Sequence, residues 1–463
     1  MTVDNSSAEM NNSIYSIAES PRNGQVIWVG TDDGKVQLTR DGGKTWTDVG
    51  GAIPGRGQDP WVSWVEASRY DEGAAYVTLD RHMYGDMNPH VYRTADFGKT
   101  WTALATTGIR GYAHVIKQDP VNRDLLFLGT EFGLWITTDG GQRWAQYKGS
   151  GFPQVAVRDM VVHPRTHDLV IATHGRGIWI IDDISPLRAL TPAKLGEDAG
   201  FLPVPPAVQW METFGGWAEG DGAFRGPSRP EEAMIPYYQR SRHIYGDLKI
   251  EIFDPQGKLV DTIAASKHRG VNRATWSMHL KPPTAPPAAT AAFQAAIGPR
   301  VPPGVYTVKL TRGDQVFTTQ LNIVLDPRAK YGVEEKRAQF ELVNRLAAML
   351  NHMSWAVDAI LAVRDQAMQK KQTDLAEAAD KIRAKIVATK EGGAITGEER
   401  LREFLAGLYG DVNGYDGKPT DQQVQRADAL ARELEDVIKE FQALAAKYNV
   451  PVPSEADWQK AHE

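Results

Sequence analysis

Short apolar stretches separated by turns rich in Gly, Asp and Pro run through roughly the first 190 residues. Four of these stretches align with one another, at residues 26–31, 74–79, 125–130 and 169–174. Each follows a short strand that ends in a turn, so the repeating unit reads as four short strands, which is typical of one propeller blade. The pattern therefore predicts four blades, at roughly 13–50, 61–106, 112–148 and 156–191.

A polar motif of eight residues recurs in three of these units, at residues 39–46, 94–101 and 137–144. It reads Thr-x-Asp-x-Gly-x-Thr-Trp twice, and the third copy has Arg143 in place of the second Thr. The Asp can accept hydrogen bonds from nearby backbone N–H groups, and the Gly supplies a backbone angle that other residues resist. We therefore expect a turn-forming role rather than catalysis, with each Trp ring packed between blades, for Asp41, Gly43, Trp46, Asp96, Gly98, Trp101, Asp139, Gly141 and Trp144.

The pattern changes further along the chain. Residues 192–242 are rich in Pro, Gly and Trp and predict an extended linker. Alternating apolar positions in 243–328 predict a small immunoglobulin-like or fibronectin-like β-sandwich. Apolar residues every three or four positions in 329–463 predict a helical bundle, with a partner-binding surface as the alternative use of these stripes. The predicted fold class is mainly β with an α-helical C-terminal region.

Composition narrows the function classes. The chain has 42% hydrophobic and 24% charged residues and a net charge of −6, so nothing indicates a general affinity for nucleic acid or anionic membranes. There is no cysteine, which excludes disulfides, thiolate metal sites and thiol nucleophiles. No apolar stretch approaches the roughly 18 residues of a membrane span, and the polar residues 1–12 predict no signal peptide.

The three motif copies, the segment 173–179 (Thr-His-Gly-Arg-Gly-Ile-Trp) and the predicted sandwich and helices together resemble one family. It is that of the large bacterial sortilin-like (VPS10-like) BNR-repeat proteins, often labelled glycosyl hydrolases, in which the motif is called the Asp-box. The resemblance implies an extracytoplasmic protein, periplasmic or secreted, whose propeller has more than four blades. Sialidases and xyloglucan-hydrolysing enzymes also carry Asp-boxes, and there these turns lie away from the active site.

Four blades of this type predict an incomplete ring. Because no signal peptide is expected either, the resemblance implies the C-terminal portion of a longer protein, encoded separately or truncated. A second chain or self-association would then complete the propeller, since an open ring leaves strand edges and apolar faces exposed. A compact ring of four blades is the alternative.

Polar residues recur at two places in each predicted blade. Aligning the blades on the turn after the first strand places Tyr15, Ser63, His114 and Arg158 at equivalent positions. Aligning them on the second strand places Asp32, Asp80 and Glu131 at equivalent positions, with His174 and Arg176 in the fourth blade and with Arg81, His82 and Asp159 nearby. Propeller topology brings both places to one face around the central channel, opposite the motif turns.

These residue types leave several chemistries open. A carboxylate pair drawn from Asp80, Glu131 and Asp32 suits glycoside hydrolysis, Asp with His suits a metal, and the arginines suit an anionic ligand. A rim of mutually paired side chains is the plainest alternative. We expect no metal and no cofactor. A protein that binds a glycan or peptide is favoured over a sialidase-like or xyloglucanase-like hydrolase, because the repeat singles out no catalytic pair.

Overall fold

The computed structural model describes residues 13–211, 222, 231–289, 292–390 and 397–462. The chain divides into two compact units, Met1–Asp198 and Ala199–Glu463. Residues 1–12, on which the absence of a signal peptide was predicted, lie outside the described residues, as does much of the predicted linker.

The first unit consists of successive antiparallel sheets in which each strand pairs with the next along the chain. Three of these sheets have the four strands that the repeat predicts and the last has three, and together they confirm the mainly β fold class. The blades are β1 (Ile14–Ser20), β2 (Asn23–Thr31), β3 (Val36–Thr39) and β4 (Thr47–Asp48); β5 (Trp61–Ala67), β6 (Ala75–Arg81), β7 (Asp86–Thr94) and β8 (Thr102–Ala103); β9 (Ala113–Gln118), β10 (Leu126–Thr130), β11 (Gly133–Thr137) and β12 (Ala145–Gln146); and β13 (Val157–Val162), β14 (Leu169–Thr173) and β15 (Ile178–Ile181). A short helix, α1 (Pro192–Gly196), follows the fourth blade.

Apolar side chains join each blade to the next. The same positions meet at all three junctions: one apolar residue of the third strand of one blade, and two residues of the first strand of the following blade. These groups are Val36 with Val62 and Val65, Val91 with Ala113 and Ile116, and Leu134 with Val157 and Met160. All nine side chains are buried, so the three cores of this unit are the three junctions.

The motif turns are held by hydrogen bonds from their own backbone and side chains. Asp96 Oδ1 accepts from the Thr100 N–H at 2.9 Å and from the Thr94 hydroxyl at 2.9 Å, and Asp96 Oδ2 accepts from the Thr100 hydroxyl at 2.7 Å. Asp41 and Asp139 accept equivalent bonds, and in the third copy the Arg143 guanidinium replaces the missing hydroxyl. The glycine two residues after the aspartate of each turn has a positive φ; these glycines are Gly43, Gly98 and Gly141.

Two of the three motif tryptophans pack between blades as expected. The Trp101 indole N–H donates to the Val49 carbonyl of the preceding blade at 3.1 Å, and Trp144 packs at the junction of the second and third blades. Trp46 differs, because its ring is 44% exposed and its N–H donates to the carbonyl of Gly43 in its own turn. In the described residues no blade precedes the first one, so nothing covers this ring.

The second unit begins with a β-sandwich. One sheet has the order β16 (Ala199–Phe201), β18 (Ala233–Gln239), β21 (Gly270–Trp276). The other has the order β17 (Ala207–Gln209), β23 (Gln315–Leu325), β22 (Gly304–Arg312), β19 (Leu248–Phe253), β20 (Leu259–Ala264). Both sheets contribute to a single core that includes Tyr237, Trp276 and Tyr306.

The sandwich starts earlier than its predicted first residue, 243. Strands β16, β17 and β18 lie in the segment predicted as a linker, yet they pair with β18, β23 and β21. The linker prediction is therefore wrong for these strands. Two of them have only three residues, and their partners lie far away along the chain, so the local sequence pattern could not reveal the pairing.

In the described part of the chain that follows, there are five helices: α2 (Val333–Gln369), α3 (Thr373–Ile386), α4 (Leu401–Asn413), α5 (Asp421–Lys447) and α6 (Glu455–His462). The first four share one apolar core. By length and composition alone α2 is long and apolar enough to cross a membrane, although the sequence pattern indicated no such segment. Within its most apolar 18 residues, 61% are buried in the bundle, so this apolar surface serves the core.

Candidate functional site

The first strand of every blade contains a β-bulge at the same place. The extra residue is Tyr15 in β1, Ser63 in β5, His114 in β9 and Arg158 in β13. A bulge leaves one residue out of the regular pairing and redirects its side chain. The four residues aligned from the sequence thus occupy one structural position, repeated from blade to blade.

A second set of equivalent positions follows the second strand. The backbone N–H groups of Asp32, Glu131 and His174 donate to the carbonyls of Ser13, Tyr112 and Ala156, each two residues before a bulge, and Asp80 pairs with Trp61 in the same way. Bulge and strand end therefore lie at one end of each sheet. The motif turns join the third and fourth strands, so they lie at the other end.

His114 is the centre of the polar cluster at this end. It is buried, and its ring contacts two charged side chains: Nδ1 lies 3.2 Å from Arg158 Nη1, and Nε2 lies 3.0 Å from Glu131 Oε2. A guanidinium only donates hydrogen bonds, so Nδ1 accepts from Arg158 and Nε2 carries the proton that is donated to Glu131. The ring therefore links a cation from one blade to a carboxylate of its own blade.

Tyr112 extends the cluster to the second blade. Its ring stacks on His82 at 4.5 Å between centroids and meets the His114 ring edge-on at 4.7 Å. His82 is fixed in turn by Asp80, whose Oδ1 accepts from the His82 backbone N–H at 2.9 Å and from ring Nδ1 at 2.6 Å. A row of contacts thus runs from Asp80 to Arg158 across three blades. We refer to Asp80, His82, Tyr112, His114, Glu131 and Arg158 as the polar cluster.

Burial and pairing set the protonation states within the cluster. Burial lowers the pKa of His114, and this outweighs the opposing hydrogen bond to Glu131. Burial acts to raise the pKa of Glu131, but hydrogen bonds from His114 and Tyr112 outweigh it and hold that pKa below its usual value. Burial, together with the Glu131 charge, raises the pKa of Tyr112 to about 12. At neutral pH His114 is therefore a neutral imidazole, Glu131 an ionised carboxylate and Tyr112 an intact phenol.

Arg81 belongs to a separate group. Its Nη1 lies 3.2 Å from Asp86 Oδ2, and the same carboxylate oxygen lies 2.8 Å from His90 Nε2. These contacts hold Arg81 within its own blade.

Four predicted site residues are not joined to the polar cluster. Asp32 Oδ1 accepts from the Ser13 N–H at 2.9 Å, and Asp159 Oδ1 accepts from the Met160 N–H. His174 and Arg176 are exposed in the loop between β14 and β15. Within the described ranges, no hydrogen bond or ion pair connects these four side chains to the cluster.

The alignment from sequence missed Tyr112, Asp86 and His90. Tyr112 lies two residues before the bulge, where the other blades have Ser13, Trp61 and Ala156, so the repeat gave no sign of a polar role there. Among the described residues, no three His, Asp or Glu side chains are grouped to hold a metal ion.

No protein-family model matches this chain, and no curated protein matches it in sequence. Solved structures of propeller-type proteins are similar to it at low identity. YCF48 from Cyanidioschyzon merolae has a TM-score of 0.27 and 18% identity over 36% of this chain and 55% of that one. A GH74 enzyme from Niastella koreensis has a TM-score of 0.27 and 13% identity over 67% of this chain and 46% of that one.

The GH74 xyloglucanase from Xanthomonas campestris has a TM-score of 0.30 and 14% identity, over 71% of this chain and 47% of that one. This chain therefore spans about half the length of these structures. Such likeness concerns the propeller fold alone, and the strand pairing within the blades carries that assignment independently.

Proposed function

We propose that this chain is a binding or scaffold protein that takes a glycan or peptide ligand at the polar cluster. On the resemblance of its motifs, we place it with the bacterial sortilin-like BNR-repeat proteins and expect it to act outside the cytoplasm, in the periplasm or after secretion. Arg81, Asp32, Asp159, His174 and Arg176 are proposed as further contacts around the same face.

The observation that carries the proposal is that the Arg158 side chain is exposed and has few partners within the described part of the protein. Its side chain is 41% exposed, and its guanidinium makes one direct hydrogen bond among the described residues, to His114. A guanidinium has five N–H donors, so most of them are available to a ligand. The buried His114 fixes its position in advance, which lowers the ordering cost of binding. Carboxylate and hydroxyl oxygens are the matching ligand groups.

Glu131 adds an acceptor next to these donors. Its carboxylate is partly exposed and lies 3.9 Å from Arg158 Nη2, so donor and acceptor groups stand side by side. Sugar hydroxyls and peptide amides both offer donors and acceptors at short spacing, and a site of this kind satisfies them together. The stacked rings of His82 and Tyr112 are part of the same cluster.

Glycoside hydrolysis is the second candidate function, because Glu131 remains ionised and suits a base or nucleophile. A hydrolase also needs a carboxylic acid whose pKa is raised so that it can protonate the leaving group. Asp80 is buried and its Oδ1 accepts two hydrogen bonds from His82, so this carboxyl is engaged within the protein and is not presented to a leaving group. Binding is therefore favoured over hydrolysis.

A glycan array, a peptide library and a panel of chromogenic glycosides test the proposal on the same preparation. We expect binding without turnover, and we expect Arg158→Ala to weaken it at least tenfold with an unchanged melting temperature. Arg165→Ala is the matched control: this exposed arginine lies in the same blade, in the turn at the opposite end of the sheet. Equal loss with both variants, or no loss with Arg158→Ala, would contradict the proposal.

Turnover of a glycoside that is abolished by Glu131→Gln or Asp80→Asn would instead establish the hydrolase. Cell fractionation of the producing organism tests the proposed location, for which recovery in the cytoplasm would be the opposing result.

A further inference from the structure

The two ends of the row of blades expose side chains whose equivalents are buried at every junction inside the row. At the first blade, Ile14 and Ile17 are exposed, and Ile17 is 66% accessible. They correspond to the first-strand positions that pack against a preceding blade, because both flank the bulge in the same register as Val62 and Val65. Those two valines are fully buried.

The opposite end of the row shows the other half of the same junction. Ile178 pairs with Ala172 as Val36 pairs with Gly30, Val91 with Thr78 and Leu134 with Gly129, so the four apolar residues are equivalent. Val36, Val91 and Leu134 are buried against the next blade, whereas Ile178 is 74% exposed. Ile180 and Val161, on the same face of the fourth blade, are exposed as well.

The motif tryptophan gives a third, independent sign. Trp101 and Trp144 pack toward the preceding blade, while the equivalent Trp46 is exposed. The inner strands β1, β5, β9 and β13 follow one another as neighbours, but among the described residues β13 does not pack against β1 in this way. The row of four blades is therefore open, and each end exposes the apolar positions that form one side of a junction inside the row.

We infer that a second copy of this chain fills both ends, head to tail, and closes a ring of eight blades. The structure itself shows what covers such a face, because a blade of the same repeat does so three times. The chain carries both halves of the junction, so the fourth blade of each copy meets the first blade of the other about a two-fold axis. Eight blades fall within the range of closed propellers. This inference does not depend on the proposed ligand.

The ring would also complete the functional face. Eight bulge positions would then surround one channel, so Arg158 of one copy would come next to Tyr15 of the other. Closing the row would also cover the apolar side chains at its two ends. Large exposed apolar patches are unusual on isolated soluble proteins, and they usually mark interaction surfaces.

Sedimentation and light scattering of the full chain test the association. We expect a mass twice the chain's 51.1 kDa, falling to the single-chain mass in Ile17→Asp and in Ile178→Asp, with both variants keeping the wild-type circular dichroism. Val121→Asp is the control, because Val121 is exposed in the turn between β9 and β10, away from both ends. A wild-type chain that stays monomeric up to about 100 µM, or a dimer that survives both substitutions, overturns the inference.

Mixing the two variants tests the head-to-tail order. Each Asp variant alone has no intact junction, but a mixed pair has one, formed by Ile178 of the Ile17→Asp copy and Ile17 of the Ile178→Asp copy. We therefore expect the mixture to associate at concentrations where each variant alone is monomeric. Failure of the mixture to associate overturns the proposed order.

The absence of native cysteine permits a cross-linking test that does not rely on disrupting the surface. The double variant Ile17→Cys with Ile178→Cys should give a covalent dimer with a short bismaleimide, whereas either single variant should stay monomeric on a denaturing gel. A covalent dimer from a single variant would show that like faces meet, and a double variant that gives only an intramolecular product would show that the chain closes on itself. Either result overturns the inference.

Discussion

The bulge position shows how one backbone feature serves different purposes from blade to blade. In the second blade Ser63 is buried, and its hydroxyl bonds with Thr78 and with the Ala113 carbonyl, which joins two blades. In the third blade His114 is buried, and its ring is hydrogen-bonded to Glu131 on one side and to Arg158 on the other. In the fourth blade Arg158 is exposed. The repeat therefore fixes the backbone position, and the side chain in each copy decides whether it is buried between blades or exposed.

The neutral state of His114 makes stability depend on pH in a defined direction. Its pKa is lowered in the folded chain from 6.5, so the unfolded chain binds more protons once the pH falls below about 6.5. The stabilising contribution is complete above that value and is lost as the pH falls toward the lower, folded pKa. Urea unfolding at pH 7.5 and 5.5 should show a smaller loss of stability on acidification in His114→Gln than in the wild type. Equal losses in the two proteins would contradict this assignment.

The motif aspartates should act on stability and not on ligand binding. Asp96 accepts three hydrogen bonds within its turn. The bond from the Thr100 hydroxyl, followed by the one from the Thr100 N–H, lowers the pKa of the Asp96 carboxyl to about 2. Asp96→Ala leaves these donors without their acceptor, so we expect a lower melting temperature and unchanged binding. Lys99→Ala, an exposed neighbour in the same turn, should leave both unchanged. Binding lost at an unchanged melting temperature would place the ligand on the motif face instead.

At the scale of elements, the packing of neighbouring blades depends on a close approach between a strand of one blade and the first strand of the next. Gly129 in β10 faces the first strand of the fourth blade, and a Cβ there would lie 2.7 Å from Val157 Cγ1 and 2.8 Å from the Val157 carbonyl oxygen. Gly30 faces Val62 in the same way, at 2.4 Å from Cγ1. In the first and third blades, glycine at this position of the second strand lets the first strand of the following blade approach closely, whereas the second blade has Thr78 there.

Gly129→Ala should therefore destabilise the first unit through overpacking, at a cost of about 1–3 kcal/mol. The opposing carbonyl belongs to backbone and cannot rotate away, so the strand itself must shift. Gly51→Ala is the control, because a Cβ at Gly51 meets nothing within 4 Å. Chemical unfolding monitored by tryptophan fluorescence measures both. A change below about 0.5 kcal/mol in Gly129→Ala would show that the blades tolerate wider spacing than the junctions indicate.

The elements differ in how far the sequence predicts them, and the reason is the range of the interactions involved. The motif turns and the bulge alignment are local patterns repeated three or four times, so the order of the blades and the positions of His114, Glu131 and Arg158 follow from sequence. Strands β16 and β17 depend on distant partners. Tyr112 enters the cluster through ring contacts with His82 and His114, which belong to different blades, and no single repeat unit contains that information.

At the scale of the whole chain, the second unit has two cores that are connected. Ala295, in the segment between β21 and β22 of the sandwich, is part of the apolar core of the helical bundle. The Tyr409 hydroxyl of α4 donates to the carbonyl of Ile297 in the same segment at 2.6 Å, and the Ser354 hydroxyl of α2 donates to the Thr284 carbonyl at 2.7 Å. Sandwich and bundle are therefore tied together inside one unit, whereas the blades have cores of their own.

We expect these two units to unfold in separate steps. Calorimetry of the full chain should show two transitions, and the isolated segment 199–463 should reproduce one of them as a single transition, because its sandwich and bundle are linked through Thr284, Ala295 and Ile297. Tyr409→Phe removes the hydrogen bond to the Ile297 carbonyl, which keeps only the longer one from Asn413 Nδ2 at 3.4 Å, at a cost of about 0.5–1.5 kcal/mol. It should lower only that transition, in the full chain and in the segment alike. Tyr415→Phe, at an exposed tyrosine following the same helix, is the control. If Tyr409→Phe splits the transition of the segment in two, the sandwich and the bundle are independent; if it lowers both transitions of the full chain, the two units unfold together.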